Sequence, residues 1–145
     1  RIDEVQHEGG CAIRVVDYKT GRVPTQRVGD LEAIFSTQNI SARHTDYYLQ
    51  AFLYSTIVRS SPEWNINRLP VSPALLFIQH ASRDDYDPVL SLGKERVEDV
   101  EVYRSEFWER LHTLLNEIFN PRTPFTPTPD RRRCEHCSYR PLCER

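Results

Sequence analysis

Methionine is absent from all 145 residues. The chain therefore does not begin at a natural start codon, and we expect an excised domain of a larger protein. Its opening, Arg1-Ile2-Asp3, reads as mid-strand sequence. Long apolar runs are missing too: none approaches the 18 or so residues that would cross a bilayer. No signal peptide is visible, and we expect a cytoplasmic protein. Excess positive charge is also lacking. The formal net charge of −2 excludes a global basic footprint for nucleic acid, so phosphate binding would need a local patch. No internal repeat is found. Cysteine is scarce, with four residues, and three of them crowd the C-terminus as C-x2-C-x5-C at Cys134, Cys137 and Cys143. Without a secretory signal, such clustering favours metal or cluster ligation over disulfides. Cys11 stands apart and is expected to be a small buried hydrophobe.

The length suits one domain with a proper core. A hydrophobic content of 39% and a charged content of 28% are ordinary for a globular protein. The best local basic patch is Arg131, Arg132 and Arg133, with Arg140 and Arg145 close behind. It is a candidate DNA-binding surface; the alternative is a solvated, arginine-rich tail.

The coarse element pattern is mixed. Residues 1–6 and 11–19 predict two strands around the turn residues His7-Glu8-Gly9-Gly10. Residues 20–43 hold Gly21, Pro24 and Gly29, have no clear period and read as a loop. Thr45 or Asp46 can cap a helix running to about Arg59. Its apolar residues go right round, which predicts a largely buried helix. Residues 60–72 read as a loop, 74–80 as an apolar strand and 89–92 as a short one. Phe107, Leu111, Leu114, Leu115 and Ile118 recur at helical spacing within a long amphipathic helix over 97–119. Four prolines between 121 and 129 make an extended connector. We expect a layered α/β or α+β unit over 1–120 and a Pro-rich, Cys-rich segment over 121–145.

Chemistry concentrates at Val15-Val16-Asp17-Tyr18-Lys19-Thr20-Gly21. Residues i and i+2 of a strand share a face, so Asp17 and Lys19 stand side by side where the strand leaves the core. A carboxylate beside an ammonium suits a hard metal ion and a phosphate; the bland alternative is a strand-end salt bridge. Asp3 lies across the turn, and the hairpin register decides whether it shares that face. A three-residue loop, Glu8-Gly9-Gly10, would set Asp3 opposite Val15 and make Asp3 and Asp17 diagonal neighbours about 7–8 Å apart at the backbone. A two-residue turn would pair Asp3 with Arg14 and put the acids on opposite faces. We expect the three-residue loop. Asp3, Asp17 and the Tyr18 carbonyl could then give Mg²⁺ or Mn²⁺ three oxygens. Gln50 and Tyr54 lie one helical turn apart. Gln50 sits in an otherwise apolar helix, so its amide needs a partner, either at a catalytic group or DNA or on nearby backbone.

Taken in order, I-D, V-D-Y-K-T-G, Q-x-x-x-Y and C-x2-C-x5-C resemble the RecB-like nuclease group of the PD-(D/E)XK superfamily. The closest likeness is to its AddB-type and CRISPR-associated branches that carry an iron–sulfur cluster. The resemblance implies a restriction-endonuclease-like α/β fold, with a mixed central sheet flanked by helices and a Cys-rich C-terminal segment. It implies that Asp3 and Asp17 ligate the metal, that Lys19 is catalytic, and that Gln50 and Tyr54 line the site. It implies exonuclease-like hydrolysis of DNA phosphodiester bonds in recombination or repair, coupled to a helicase domain or subunit. Cys134, Cys137 and Cys143 would be three ligands of a 4Fe–4S cluster, which needs about four thiolates. The fourth cysteine and an upstream helix bearing a histidine are not in this sequence.

Two other functions stay open. One is an inactive nuclease-fold module that binds DNA or a helicase partner, in which Asp17 and Lys19 survive only as a salt bridge. The other is a zinc-stabilised structural module using the three cysteines with His136 or His112. His7, His44 and His80 show no ligand spacing and are expected to be surface or satisfied residues.

Overall fold

A computed structural model of the chain describes residues 1–7 and 9–144. Glu8, the His7 side chain and Arg145 lie outside the described residues, as do the expectations that rest on them. Strands β1 (Ile2–His7) and β2 (Gly10–Lys19) form an antiparallel pair, and β3 (Val71–Phe77) lies parallel to β2 on its other side. The fold is thus mixed α/β, a three-stranded mixed sheet flanked by helices, as expected. The ladder of β2 with β3 runs from Ile13–Val71 to Lys19–Phe77. A parallel connection needs a long crossover, which here includes α1 (Leu31–Ile34), α2 (Ile40–Arg43) and α3 (Thr45–Ser60). Beyond β3 come the small hairpin β4 (Ser91–Leu92) and β5 (Glu95–Arg96), a 3₁₀ turn over Val100–Tyr103, and α4 (Arg104–Ile118).

Alternation along β2 separates two packing faces. Ile13 and Val15, with Val71, Leu75 and Phe77, join the main core with Phe52, Val97, Val100 and Phe107. Phe107 anchors it, its ring centroid lying 5.6 Å from Phe35 and 5.8 Å from Phe52. Val16 and Ala74 face the other way and pack with Val89 and Leu76 in a smaller cluster. Each large side chain buried this way is worth roughly 1.5–3 kcal/mol.

Pro73 is tolerated inside β3 because of the side its nitrogen faces. The outward edge of β3 is met by the segment through Val89, where Leu75 N donates to Pro88 O and Leu90 N donates to Pro73 O. The missing N–H of Pro73 therefore falls outside the ladder with β2. This strand starts three residues earlier than its apolar run suggests, and Ile78–His80 leave it as a 3₁₀ turn.

Other expectations need correction. Residues 20–43 contain α1 and α2, which at four residues each are too short to show a period. Helix α3 is not capped by Thr45 or Asp46; its N-cap is His44, in the left-handed region at φ 51° and ψ 46°. Nor is α3 buried all round, since Tyr54 and Ile57 are exposed on one side. It stops at Ser61 because that residue precedes Pro62 and is extended (ψ 123°). The long helix expected from 97 begins only at Arg104, and Leu115 and Ile118 on its last turns are exposed. Cys11 is exposed rather than buried, because it lies one pair from the turn of the hairpin, where Gln6 Nε2 reaches its Sγ at 3.1 Å.

The consequential correction is the hairpin register. His7 pairs with Gly10 and Asp3 with Arg14, which leaves two residues between the paired ends instead of three. Gly10, the first residue of β2, has a positive φ (121°), which glycine adopts without a Cβ penalty. A register moved by one residue sends a side chain to the other face. Asp3 therefore lies on the face of Arg14, Val16 and Tyr18, whereas Asp17 lies on the face packed under α3.

Candidate active site

Lys19 is the centre of the polar cluster on the α3 face. The ladder with Phe77 holds its backbone, and its side chain is only 14% exposed. The ammonium lies 2.8 Å from Asp17 Oδ2 and donates to Gln50 Oε1 at 2.8 Å. It also sits 4.1 Å above the centre of the Tyr47 ring, where the π face favours a cation. Gln50 Nε2 in turn donates to Tyr54 Oη at 3.0 Å. Tyr47, Gln50 and Tyr54 are three and four residues apart, so α3 presents all three along one stripe. The amide of Gln50 thus has both partners it requires, one of them the lysine singled out from the sequence.

Asp17 is the least satisfied member. Its Oδ2 is buried and, although 2.8 Å from the Lys19 nitrogen, accepts no well-directed hydrogen bond. A buried carboxylate oxygen short of donors has strong residual affinity for a cation. Asp17 therefore fits one position of a divalent-metal site. Asp3 does not: it is gripped by Arg1, whose Nε lies 2.7 and 2.9 Å from its two oxygens. The Arg1 guanidinium also covers the Tyr18 ring at 5.8 Å, so Arg1, Asp3 and Tyr18 form a separate group on the far face. Among the described residues no three acidic, histidine or cysteine side chains are placed to hold a metal ion. The expected pair of carboxylates on one face is not formed.

The cysteines are likewise not assembled into a site. Cys134, in a 3₁₀ turn over Arg131–Cys134, is half-buried; Cys137 and Cys143 are exposed, and all are free thiols. His112 packs against Trp108 on α4, and no zinc set with His112 or His136 is present among the described residues. The tail is nevertheless docked. Asp130 Oδ2 accepts from Ser41 N at 2.8 Å, and Arg133 Nη2 meets Asp46 Oδ2 at 2.5 Å in the first turn of α3. Of the three arginines expected to bind DNA, Arg133 is thus engaged by a carboxylate, while Arg131 and Arg132 are exposed.

Sequence reasoning missed Tyr47 as part of the site. The signal was there: Tyr47 stands three residues before Gln50, on the stripe that also carries Tyr54.

An acid and a lysine two residues apart at the end of a central strand, met by a glutamine from the crossover helix, define a nuclease-type site on a mixed sheet. The sequence model of the PD-(D/E)XK nuclease superfamily matches residues 1–144, and the chain belongs to that superfamily. Its members are generally nucleases that hydrolyse phosphodiester bonds and typically use divalent metals. No curated protein and no solved structure matches the chain. No helix among the described residues is long and apolar enough to cross a membrane.

Proposed function

We propose that the chain is a RecB-like nuclease module that cleaves DNA in a recombination or repair protein, in partnership with a helicase domain or subunit. The observation that carries this reading is the Lys19 ammonium, fixed among Asp17, Gln50 and the Tyr47 ring. Lys19 is positioned to donate to a phosphate oxygen as negative charge grows there, and its fixed position spares reorganisation during the reaction. Asp17 pairs with that amine at 2.8 Å and presents a carboxylate oxygen toward the site. Gln50 holds Lys19 in place and is itself held by Tyr54. Asp17 would be a ligand of Mg²⁺ or Mn²⁺, which would supply charge neutralisation and a more acidic water when bound. The Cys134, Cys137 and Cys143 thiolates are proposed to take a 4Fe–4S cluster completed by a thiolate from outside this sequence.

The test is degradation of linear DNA by the full-length protein in Mn²⁺, with Asp17→Ala as the comparison. Loss of cleavage supports the assignment; equal activity in both proteins refutes it. The Asp3→Ala variant separates two versions of the site. Cleavage lost along with that of Asp17→Ala supports the two-carboxylate site implied by resemblance, and cleavage retained supports the arrangement described above.

A second reading draws on a specific observation. With Asp3 on the far face and Asp17 closed onto Lys19, the module has the features expected of a non-catalytic member of the superfamily that binds DNA or a helicase partner. Salt-dependent DNA binding without metal-dependent cleavage would favour it.

A further inference from the structure

A cavity of 510 Å³ adjoins the lysine site on the same face of the sheet. Phe77 connects the two: it lines the cavity, it is the β3 partner of Lys19, and its ring lies 6.4 Å from the Tyr47 ring on which Lys19 rests. One wall is the segment around Arg27, the other the β4–β5 turn carrying Lys94, with Tyr48 of α3 also in the lining. The walls are fixed by backbone. Gly93 N donates to Val28 O at 2.8 Å, and Thr25 N and Gln26 N both donate to Ala42 O. The opening is therefore preformed, and its size lies in the range of small-ligand sites.

Its electrostatics are lopsided. Asp87 is the acidic residue of the lining, and it is already neutralised: Arg96 Nε donates to its Oδ2 at 2.6 Å and Val89 N to its Oδ1 at 3.0 Å. Arg27 and Lys94 have no ion pair among the described residues and are exposed. Tyr48, half-buried, offers a ring with a hydroxyl beside the Arg27 charge, which offsets part of the upward push of burial on its pKa. Two unpaired cations around an aromatic floor suit an anion attached to a flat or sugar-like group.

We propose that this cavity binds a nucleotide of the substrate strand flanking the scissile bond, with its phosphate held by Arg27 and Lys94. The proposal deepens the nuclease reading and rests on it: the strand would run from Lys19 past Phe77 into the cavity, which fixes its register at the site. Because both cations are exposed, Arg27→Ala/Lys94→Ala leaves the fold intact.

The experiment measures binding of a labelled single-stranded oligothymidine to the full-length protein across a salt series, by fluorescence anisotropy. It is done in an Asp17→Asn background to prevent turnover. The double variant is expected to weaken binding about tenfold at physiological salt. The slope of log K against log salt should flatten by about 0.7, the value for one phosphate contact on a single strand. Unlabelled thymidine monophosphate should compete only weakly if a strand is the ligand; competition as strong as that of the oligomer would overturn the strand assignment. Unchanged affinity and slope in the double variant would overturn the proposal while leaving cleavage by the wild-type protein, and thus the nuclease reading, untouched. Absence of oligomer binding by the parent would overturn it as well, and Asp17-dependent cleavage would then judge the nuclease reading separately.

Discussion

Replacing Gln50 with leucine removes the group that ties the catalytic strand to α3. Its amide accepts from Lys19 at 2.8 Å and donates to Tyr54 at 3.0 Å. Leucine nearly conserves volume, so the loss is polar rather than a cavity. A hydrogen bond to a charged group contributes about 1.5–3 kcal/mol and a neutral one about 1 kcal/mol. Lys19 keeps Asp17 and the Tyr47 ring, and exposed Tyr54 regains water, so we expect a net stability loss of about 1.5 kcal/mol. Catalysis should suffer more. An amine free to swing by about 1 Å costs on the order of 100-fold in rate, with the loss in kcat and little change in KM. Urea unfolding and steady-state cleavage of linear DNA read the two effects. Gln50→Glu keeps an acceptor for Lys19 and should preserve stability. Leucine and wild-type proteins with the same kcat would refute the argument that Gln50 positions the lysine.

Asp99 accepts from Arg59 Nε, Val71 N at the start of β3 and Glu101 N in the following 3₁₀ turn, and Asp99→Ala should cost about 3 kcal/mol in urea unfolding with an unchanged m value. Gly93 has φ +62°, and an added Cβ would lie 2.9 Å from Gly29 O; Gly93→Ala should lower stability by about 2 kcal/mol and open the wall of the cavity, seen as weaker oligonucleotide binding. Hydrogen bonding from Ser41 N holds the Asp130 carboxyl below the usual aspartate range. A depressed folded-state value means its docking contribution is full above the ordinary aspartate value and is lost as pH falls through the lowered one; limited proteolysis should therefore release residues 121–145 in strong acid but not at pH 6, and Asp130→Ala should expose the tail at both.

Much of the layering was legible because long periodic segments carry their own signal. The two N-terminal strands, α3 and the core half of α4 follow from apolar spacing, and a polar residue on an apolar helix marks Gln50 as needing a partner, although the sequence leaves open whether that partner is a catalytic group, DNA or nearby backbone. The register of β1 against β2 was not legible. Gly9 and Gly10 both tolerate turn geometry, so local chemistry allows a two- or a three-residue loop, and one residue decides which face Asp3 occupies. The start of α3 was misread because His44, in a left-handed conformation, ends α2 and begins α3, so the capping position passed to a residue with no capping side chain. The cavity beside Phe77 was out of reach, since its walls come from loops more than 60 residues apart that carry no motif.

Cleavage of linear DNA by Lys19→Ala and Asp17→Ala, each shown by circular dichroism to keep the wild-type fold, decides whether the Asp17–Lys19 pair is the reactive centre. Both variants are expected to lose Mn²⁺-supported cleavage at least about 100-fold relative to wild type. Undiminished cleavage by either variant would contradict it.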